Sequence, residues 1–497
     1  MENKPEQITI SLKEYQDMRY ELAFLRHEMA ELKRMIFGSK SERFVSNVDA
    51  SQLTLFGQQT LQQAPAAPEP VKHQPQVEKH STADKKRPVR GVISPALPRR
   101  TEIIEPAELN EYMRKIGEEI TEILEYEAGK IYVRCIVRPK YVSTQSEIGV
   151  TIAPLPSLPL PKSNAGASIL AHIMVSKFVD HLPYYRQIEQ FKRQGIELSE
   201  STINGWFGNV SKLLTPLYDT LVTKVQSQTY LMADETPIPV QYRAQKGATH
   251  RGYHWLYYAP LKELVCFDYR TGRGREGPIN FLNQFKGTLQ TDGYAAYNYF
   301  DNKPGVTLLA CMAHARRYFE QAQENDAESA QWMLLNIQKL YALERKAHNE
   351  NYSAQQRYDL RQTYAKPILD EIKTWLDQQL VSVLPKSPIG KAVQYTLSLW
   401  NRLVRYIDHG QYEIDNNWAE NSIRPIALGR KNYLFAGSHQ GAHNAAMFYS
   451  FLATCKRNKV NSEKWLKYVI ENIAEHKANK LDELLPNHFT EIFPAIE

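Results

Sequence analysis

Residues 228–241, QTYLMADETPIPVQ, and residues 287–297, GTLQTDGYAAY, decide how the chain is read. Each opens as a short strand-like run and reaches an aspartate, Asp234 in the first and Asp292 in the second. GYHWLYYAP (252–260) and ELVCFDYR (263–270) follow the first run as two more strands. GPINFLNQF (277–285) can form a helix before the second run, and VTLLACMAHARRYF (306–319) passes from strand into helix. The order is strand, strand, strand, helix, strand, then strand and helix.

That order is the one found in the ribonuclease-H-like α/β fold, where the first and fourth strands lie side by side. Asp234 and Asp292 would then sit at neighbouring strand ends, and two close carboxylates repel unless cations neutralise them. For a site of oxygen ligands beside phosphates the natural cation is Mg²⁺, with Mn²⁺ able to substitute. A third carboxylate would complete the cage. The candidate is Glu420, in EIDNNWAENSIRPIALGRKNYLFAG (413–437), where Ile414, Trp418 and Ile423 mark a helical face. Glu420 and Arg424 share a side of that helix, and Arg430 and Lys431 follow. A carboxylate beside cations suits a phosphodiester site, with Arg424, Arg430 and Lys431 placed to hold phosphates. A surface ion pair is the commoner fate of such a pair. With 55 acidic residues in the chain, no single one carries the reading alone. Glu235 would point to the opposite side of an extended strand from Asp234, and Asp415 stands where a helix cap is expected. Asp268 and Glu413 are further competitors nearby.

Working outward, Tyr15, Met18, Leu22, Leu25, Met29, Leu32 and Ile36 form a heptad seam in residues 1–45, a short coiled-coil helix suited to self-association. Residues 46–100 are a Pro- and Gln-rich linker that ends in the basic DKKRPVRGVISPALPRR. Residues 101–160 form a small β-containing unit. Residues 161–225 are helical, broken at Gly195, with Ser199 or Ser201 able to cap a following helix, so a helix-turn-helix-like DNA-binding region is expected there. The core then runs over 226–319 and 411–460, split by a helical insertion at 320–410. The periodic positions of that insertion are Met333, Ile337 and Tyr341, then Leu360, Tyr364 and Ile368, then Val393, Leu397, Trp400 and Leu403. Residues 461–497 are expected as a C-terminal tail. The whole is a multidomain α+β chain: a ribonuclease-H-like α/β core with a helical insertion, preceded by a helical DNA-binding region and an N-terminal coiled-coil helix.

Of the 497 residues, 42% are apolar, enough for packed cores, and the net charge of +6 suits a polyanionic partner without demanding one. The four cysteines lie far apart and form no CxxC pair, which excludes a disulfide framework or zinc ribbon and points to a reducing compartment. The N-terminus has no signal-peptide core and no run is long and apolar enough for a membrane span, so a cytoplasmic, nucleoid-associated protein without membrane contact is expected.

KFVDHLPYYRQ (177–187), ADETPIPV (233–240), TDGYAAY (291–297), CMAHARRYF (311–319) and DNNWAENSIRPIALGRKNYLFAGS (415–438) resemble, in order over residues 165–460, the insertion-sequence-66 family of bacterial DDE transposases. The heptad helix ending in FGSKSER (37–43) resembles that family's leucine-zipper segment. The resemblance places the three acidic residues on Asp234, Asp292 and Glu420. It implies a transposase that frees the 3′ ends of an element and transfers them into target DNA by two-metal phosphoryl transfer. DNA is then the partner, as element ends and as target, with a homodimer or higher assembly and small accessory proteins of the element. The family also carries a zinc-binding domain with paired cysteines. Residues 101–150 keep similar flanks but only Cys135, and one thiol cannot make a tetrahedral site, so no structural zinc is expected. Cys311 and His314 form a CxxH near the expected site, where a structural histidine is the commoner outcome. Two other functions fit the same residues: a catalytically silent transposase-derived DNA-binding protein, and a ribonuclease-H-like nuclease without strand transfer.

Overall fold

The computed structural model describes residues 163–241 and 248–495, with residues 129, 140–141, 151–152 and 158–160 in addition. The heptad helix of residues 1–45, the linker of 46–100 and most of the unit at 101–160 lie outside the described residues. Gly129 apart, the described residues belong to one compact unit. Its first element is a small antiparallel pair, β1 (Lys140–Tyr141) with β2 (Thr151–Ile152).

Five strands build the main sheet: β3 (Tyr230–Gln241), β4 (Thr249–Ala259), β5 (Leu264–Arg270), β6 (Gly287–Thr291) and β7 (Val306–Ala310). Their order is β5-β4-β3-β6-β7. The first three are antiparallel neighbours, as short connections allow, while β6 and β7 join parallel to β3 through longer crossovers. The run LVCFDYR of β5 is buried at every residue but the last, the pattern of a strand covered on both faces.

Helices α1 (Ala167–Phe178), α2 (Tyr184–Arg193) and α3 (Glu200–Gln226) precede the sheet. Gly195 turns the chain between α2 and α3 at φ +79°, a conformation open to glycine at little cost. Of the two serines proposed as caps, Ser199 does it: its hydroxyl accepts the Thr202 N–H at 3.1 Å, a contact worth about 1 kcal/mol. These helices do not stand apart from the core. Leu170, Ile173, Leu214, Leu217 and Leu221 share one hydrophobic cluster with the sheet. Residues between 462 and 493 share it too. The expected tail holds α13 (Ser462–Asn472), whose Trp465, Leu466, Val469 and Ile470 are buried, followed by 3₁₀ turns that bury Leu484, Leu485 and Phe489. Apolar residues at spacings of three and four, one of them a tryptophan, drive that packing.

A second cluster is built from the insertion. After the short α4 (Glu276–Phe281) come α5 (Met312–Ala322), α6 (Ala327–Asn349), α7 (Ala354–Leu360), α8 (Lys366–Ser382), α9 (Pro388–Ser398) and α10 (Trp400–Val404). Met333, Ile337, Val393, Trp400 and Leu403 are buried in it, as their spacing predicts. Tyr364 is not: it is 57% exposed. Residues Arg361–Ala365 form a π-helical turn between α7 and α8. Its wider winding shifts the phase, so Ala365, Leu369, Ile372 and Leu376 face the core and the expected Tyr364 faces out. The chain leaves this second cluster beside the point where it entered, the Met312 N–H donating to the Ile414 carbonyl at 3.1 Å. Two further helices, α11 (Asn417–Tyr433) and α12 (His439–Arg457), return to the sheet.

Candidate active site

Asp234 lies in β3, opposite Leu256 of β4. On its other side β3 runs parallel to β6 with Tyr230↔Thr288, Leu231↔Leu289 and Met232↔Gln290 as partners. Continued by two residues, that register puts Asp234 level with Asp292, the first residue after β6. The turn there needs a glycine: Gly293 has φ +93°, and a Cβ on it would come 2.7 Å from a Leu399 methyl. The Tyr294 N–H then donates to Asp292 Oδ1 at 2.8 Å, and the Tyr395 hydroxyl, from α9 of the insertion, donates to the Asp292 carbonyl at 2.9 Å. The carboxylate is thus held from the turn and the backbone beneath it from the insertion.

Glu420 arrives by a strap, residues 413–416, laid across the strand ends. Gln290 of β6 donates to the Glu413 carbonyl at 2.8 Å, and the Glu413 N–H donates to the Tyr230 hydroxyl at 3.0 Å. Asn416, fully buried, donates through its side chain to the Ala233 carbonyl at 3.0 Å, directly before Asp234. Its own N–H donates to Cys311 Sγ at 3.2 Å. The strap ends where α11 starts, and Glu420 is in the first turn.

The three carboxylates influence one another. Burial first, then the charges of Asp292 and Glu235, with Glu420 adding to them, hold the Asp234 carboxyl well above the usual carboxylate range. Among the described residues, the hydrogen-bond donors to Asp234 and Asp292 are backbone N–H groups, from Glu235 and Tyr294. An all-oxygen donor set whose charges repel in this way fits a hard divalent cation. Beside it, His314 Nδ1 stands 3.8 Å from Glu420 Oε1, and one ligand atom each from Cys311, His314 and Glu420 fall within 4.8 Å of one another. Burial pushes the Cys311 thiol well up, so it serves as a hydrogen-bond acceptor in its neutral form.

Glu235 is nearer the site than strand alternation alone suggests. Its side chain, 2% exposed, pairs with Arg273 at 2.5 Å. The Arg273 guanidinium lies 3.9 Å over the Tyr294 ring, and the Tyr294 hydroxyl donates to the Arg273 carbonyl at 3.1 Å. This chain of contacts ties β3 to the turn that carries Asp292. The stretch GRGRE (272–276), with its arginines between two strands, was the sequence signal for it; the Tyr395 contact left none.

Of the three expected phosphate contacts, Arg424 and Lys431 are exposed on α11. Arg430 differs: one guanidinium nitrogen donates to the Thr236 hydroxyl at 3.0 Å and to the Pro237 carbonyl, bracing α11 against β3.

A mixed α/β chain with an acidic site between two parallel strands is the class so defined. Comparison with known proteins narrows it. The model for the transposase IS66 family matches residues 162–444, that of the IS66 C-terminal element matches 450–487, and one described as transposase C of IS166 homeodomain matches 24–101. The chain belongs to the IS66 transposase family. Relatives of similar length include the uncharacterized proteins y4jD and y4hP of Sinorhizobium fredii (strain NBRC 101917 / NGR234). The first is 32% identical over 93% of this chain and 94% of its own, the second 30% identical over 93% and 88%. The homeodomain match covers much of the expected heptad helix and linker, whereas residues 162–225 fall inside the transposase match. Among the described residues, no helix is long and apolar enough to cross a membrane.

Proposed function

We propose that this transposase cleaves the ends of its element and joins the freed 3′-hydroxyls to target DNA, with Asp234, Asp292 and Glu420 as the residues that hold the divalent cations. The observation that carries the reading is the crowding of Asp234 by Asp292, Glu235 and Glu420 without a lysine or arginine bonded to Asp234 or Asp292 among the described residues. Half-buried carboxylates left to repel one another are a cost to the fold unless a cation joins them. The sheet order β5-β4-β3-β6-β7, with the first two carboxylates on adjacent central strands, supports a ribonuclease-H-like core.

Mg²⁺ held by these carboxylates would supply Lewis-acid polarisation of the scissile phosphodiester and lower the pKa of the attacking hydroxyl or water. The protein's own part is placement. The strap at 413–416 fixes Glu420 against the strand ends, the Tyr294 and Tyr395 contacts fix Asp292, and exposed Arg424 and Lys431 hold backbone phosphates without reading sequence. No protein nucleophile is required, so no covalent protein–DNA intermediate forms. Two element ends must be held at once, and a dimer or larger assembly through the N-terminal heptads would do so.

The test is a gel assay with duplexes carrying the element's ends and a supercoiled target. Nicked ends and joined products should both appear with Mg²⁺ or Mn²⁺ and vanish on chelation. Nicks without joined products would reduce the protein to a nuclease, and neither product would leave a DNA-binding protein alone.

A further inference from the structure

A cavity of about 310 Å³ opens beside Asp292. Its walls come from three parts of the chain: Asp292 and Tyr294 from the turn after β6, His314, Arg317 and Tyr318 from α5, and Tyr395 from α9 of the insertion. The Tyr318 and Tyr395 rings stack with centroids 4.2 Å apart and planes at 24°, and Tyr318 remains 38% exposed. Tyr395 is fixed by its hydrogen bond to the Asp292 carbonyl, so the stacked pair is anchored to the acidic turn.

The chemistry of these walls is selective. A volume near 310 Å³ is at the small end of ligand sites and accommodates one nucleobase with its sugar, whereas a base-paired stack has no room. Aromatic faces accept any base by stacking, and a guanidinium beside them suits a phosphate. A purely apolar ligand would have to desolvate Asp292, His314 and Arg317 together. We propose that this cavity receives a single unpaired deoxynucleotide of the DNA end, its base against Tyr318 and its phosphate toward Arg317. The proposal rests on the reading of Asp292 as part of the acidic site for its claim that this nucleotide adjoins the phosphate to be cut. A nucleotide leaves a duplex at the cost of unpairing and unstacking, and an aromatic lining offsets that cost at the point where the strand must be exposed.

The experiment measures binding of the full-length protein to two short labelled duplexes of equal sequence, one blunt and one with a one-nucleotide overhang, with Ca²⁺ present. The overhang duplex should bind about ten-fold more tightly. Tyr318→Ala should remove that preference and leave blunt-duplex affinity unchanged, while Tyr318→Phe, which keeps the ring, should retain it. Equal affinity of the wild type for both duplexes overturns the proposal, as does a Tyr318→Ala variant that weakens both equally. Asp292→Asn separates the two readings. Loss of cleavage with the overhang preference intact supports both. Cleavage by that variant sinks the acidic-site assignment while the cavity stands, and loss of cleavage with no overhang preference in the wild type sinks the cavity alone.

Discussion

Two of the carboxylate groups in the described chain, one within the insertion and one at the sheet, have opposite surroundings. In the insertion, Glu344 accepts two hydrogen bonds from Arg361, each at 2.8 Å, and one from Arg357 at 2.9 Å, while Arg357 also grips Glu413 in a fork. Arg361 is wholly buried and spends its remaining N–H groups on the carbonyls of Tyr406, His409 and Tyr412. Burial pushes the Glu344 carboxyl up, but the hydrogen bonds and charges of Arg361 and Arg357 outweigh it and leave the carboxyl lowered. At the sheet, Asp234 meets other carboxylates and is raised. A carboxylate is held in its charged form where guanidinium groups complete it and driven toward its neutral form where they do not. That contrast separates an internal brace from the site proposed to hold a cation.

The largest effect should come from neutralising the crowded group. Asp234→Asn, Asp292→Asn or Glu420→Gln should each cut strand transfer on the order of a thousandfold or more, with binding to element ends retained. A variant that transposes normally removes its residue from the site. Neutralising the braced group should damage stability instead. Arg361→Met leaves Glu344 buried beside fewer cations, and urea unfolding of the variant should show a loss of about 3–5 kcal/mol. A cost near zero would mean that the brace is ornamental.

Smaller effects follow from linkage. Glu344, lowered in the fold, adds stability that is present above its ordinary value of 4.5 and is lost as pH falls through the folded value. Asp234, raised from 3.8, works the other way: its contribution is present below 3.8 and is lost as pH rises through the folded value. Melting curves of metal-free protein against pH should therefore lose their low-pH slope in Glu344→Gln and their higher-pH slope in Asp234→Asn. Near neutral pH, Mg²⁺ at about a hundred times its dissociation constant should add about 2.7 kcal/mol to the wild type, and much less to Asp234→Asn. Equal gains in both would place the cation elsewhere. The smallest effect is that of Tyr395→Phe. Losing one hydrogen bond to the Asp292 carbonyl should cost about 1 kcal/mol, read as a several-fold drop in the cleavage rate at unchanged DNA affinity.

The sheet was legible because its strands are apolar runs with turn residues between them, and strand order is what nominates Asp234 and Asp292 as proposed ligands. Glu420 is nominated by its helix and its motif. The braced group was not: Glu344, Arg357 and Arg361 occur in polar helical sequence that reads as solvated surface, and only packing shows Arg361 to be enclosed. The π turn at Arg361–Ala365 was equally silent, since Leu360, Tyr364 and Ile368 keep a regular spacing that the extra residue in the turn breaks. The packing of the C-terminal segment was not legible for another reason. Trp465, Leu466, Val469 and Ile470 do form a helical stripe, but its partners on α1 and α12 come from distant sequence. Position at the end of the chain was a poor guide to its burial.

The hydrogen bond from Met312 to Ile414 closes a loop of about a hundred residues with its two ends side by side. Closure entropy grows so slowly with length that doubling such a loop costs only about 0.6 kcal/mol. The length of chain between these two positions therefore adds little to the cost of bringing α11 back to the sheet, although Arg357 and Tyr395 within it touch Glu413 and Asp292. Extra chain placed away from Arg357 and Tyr395 would load the junction very little, which makes the outer turns of that appendage the place where a protein engineer could insert a domain.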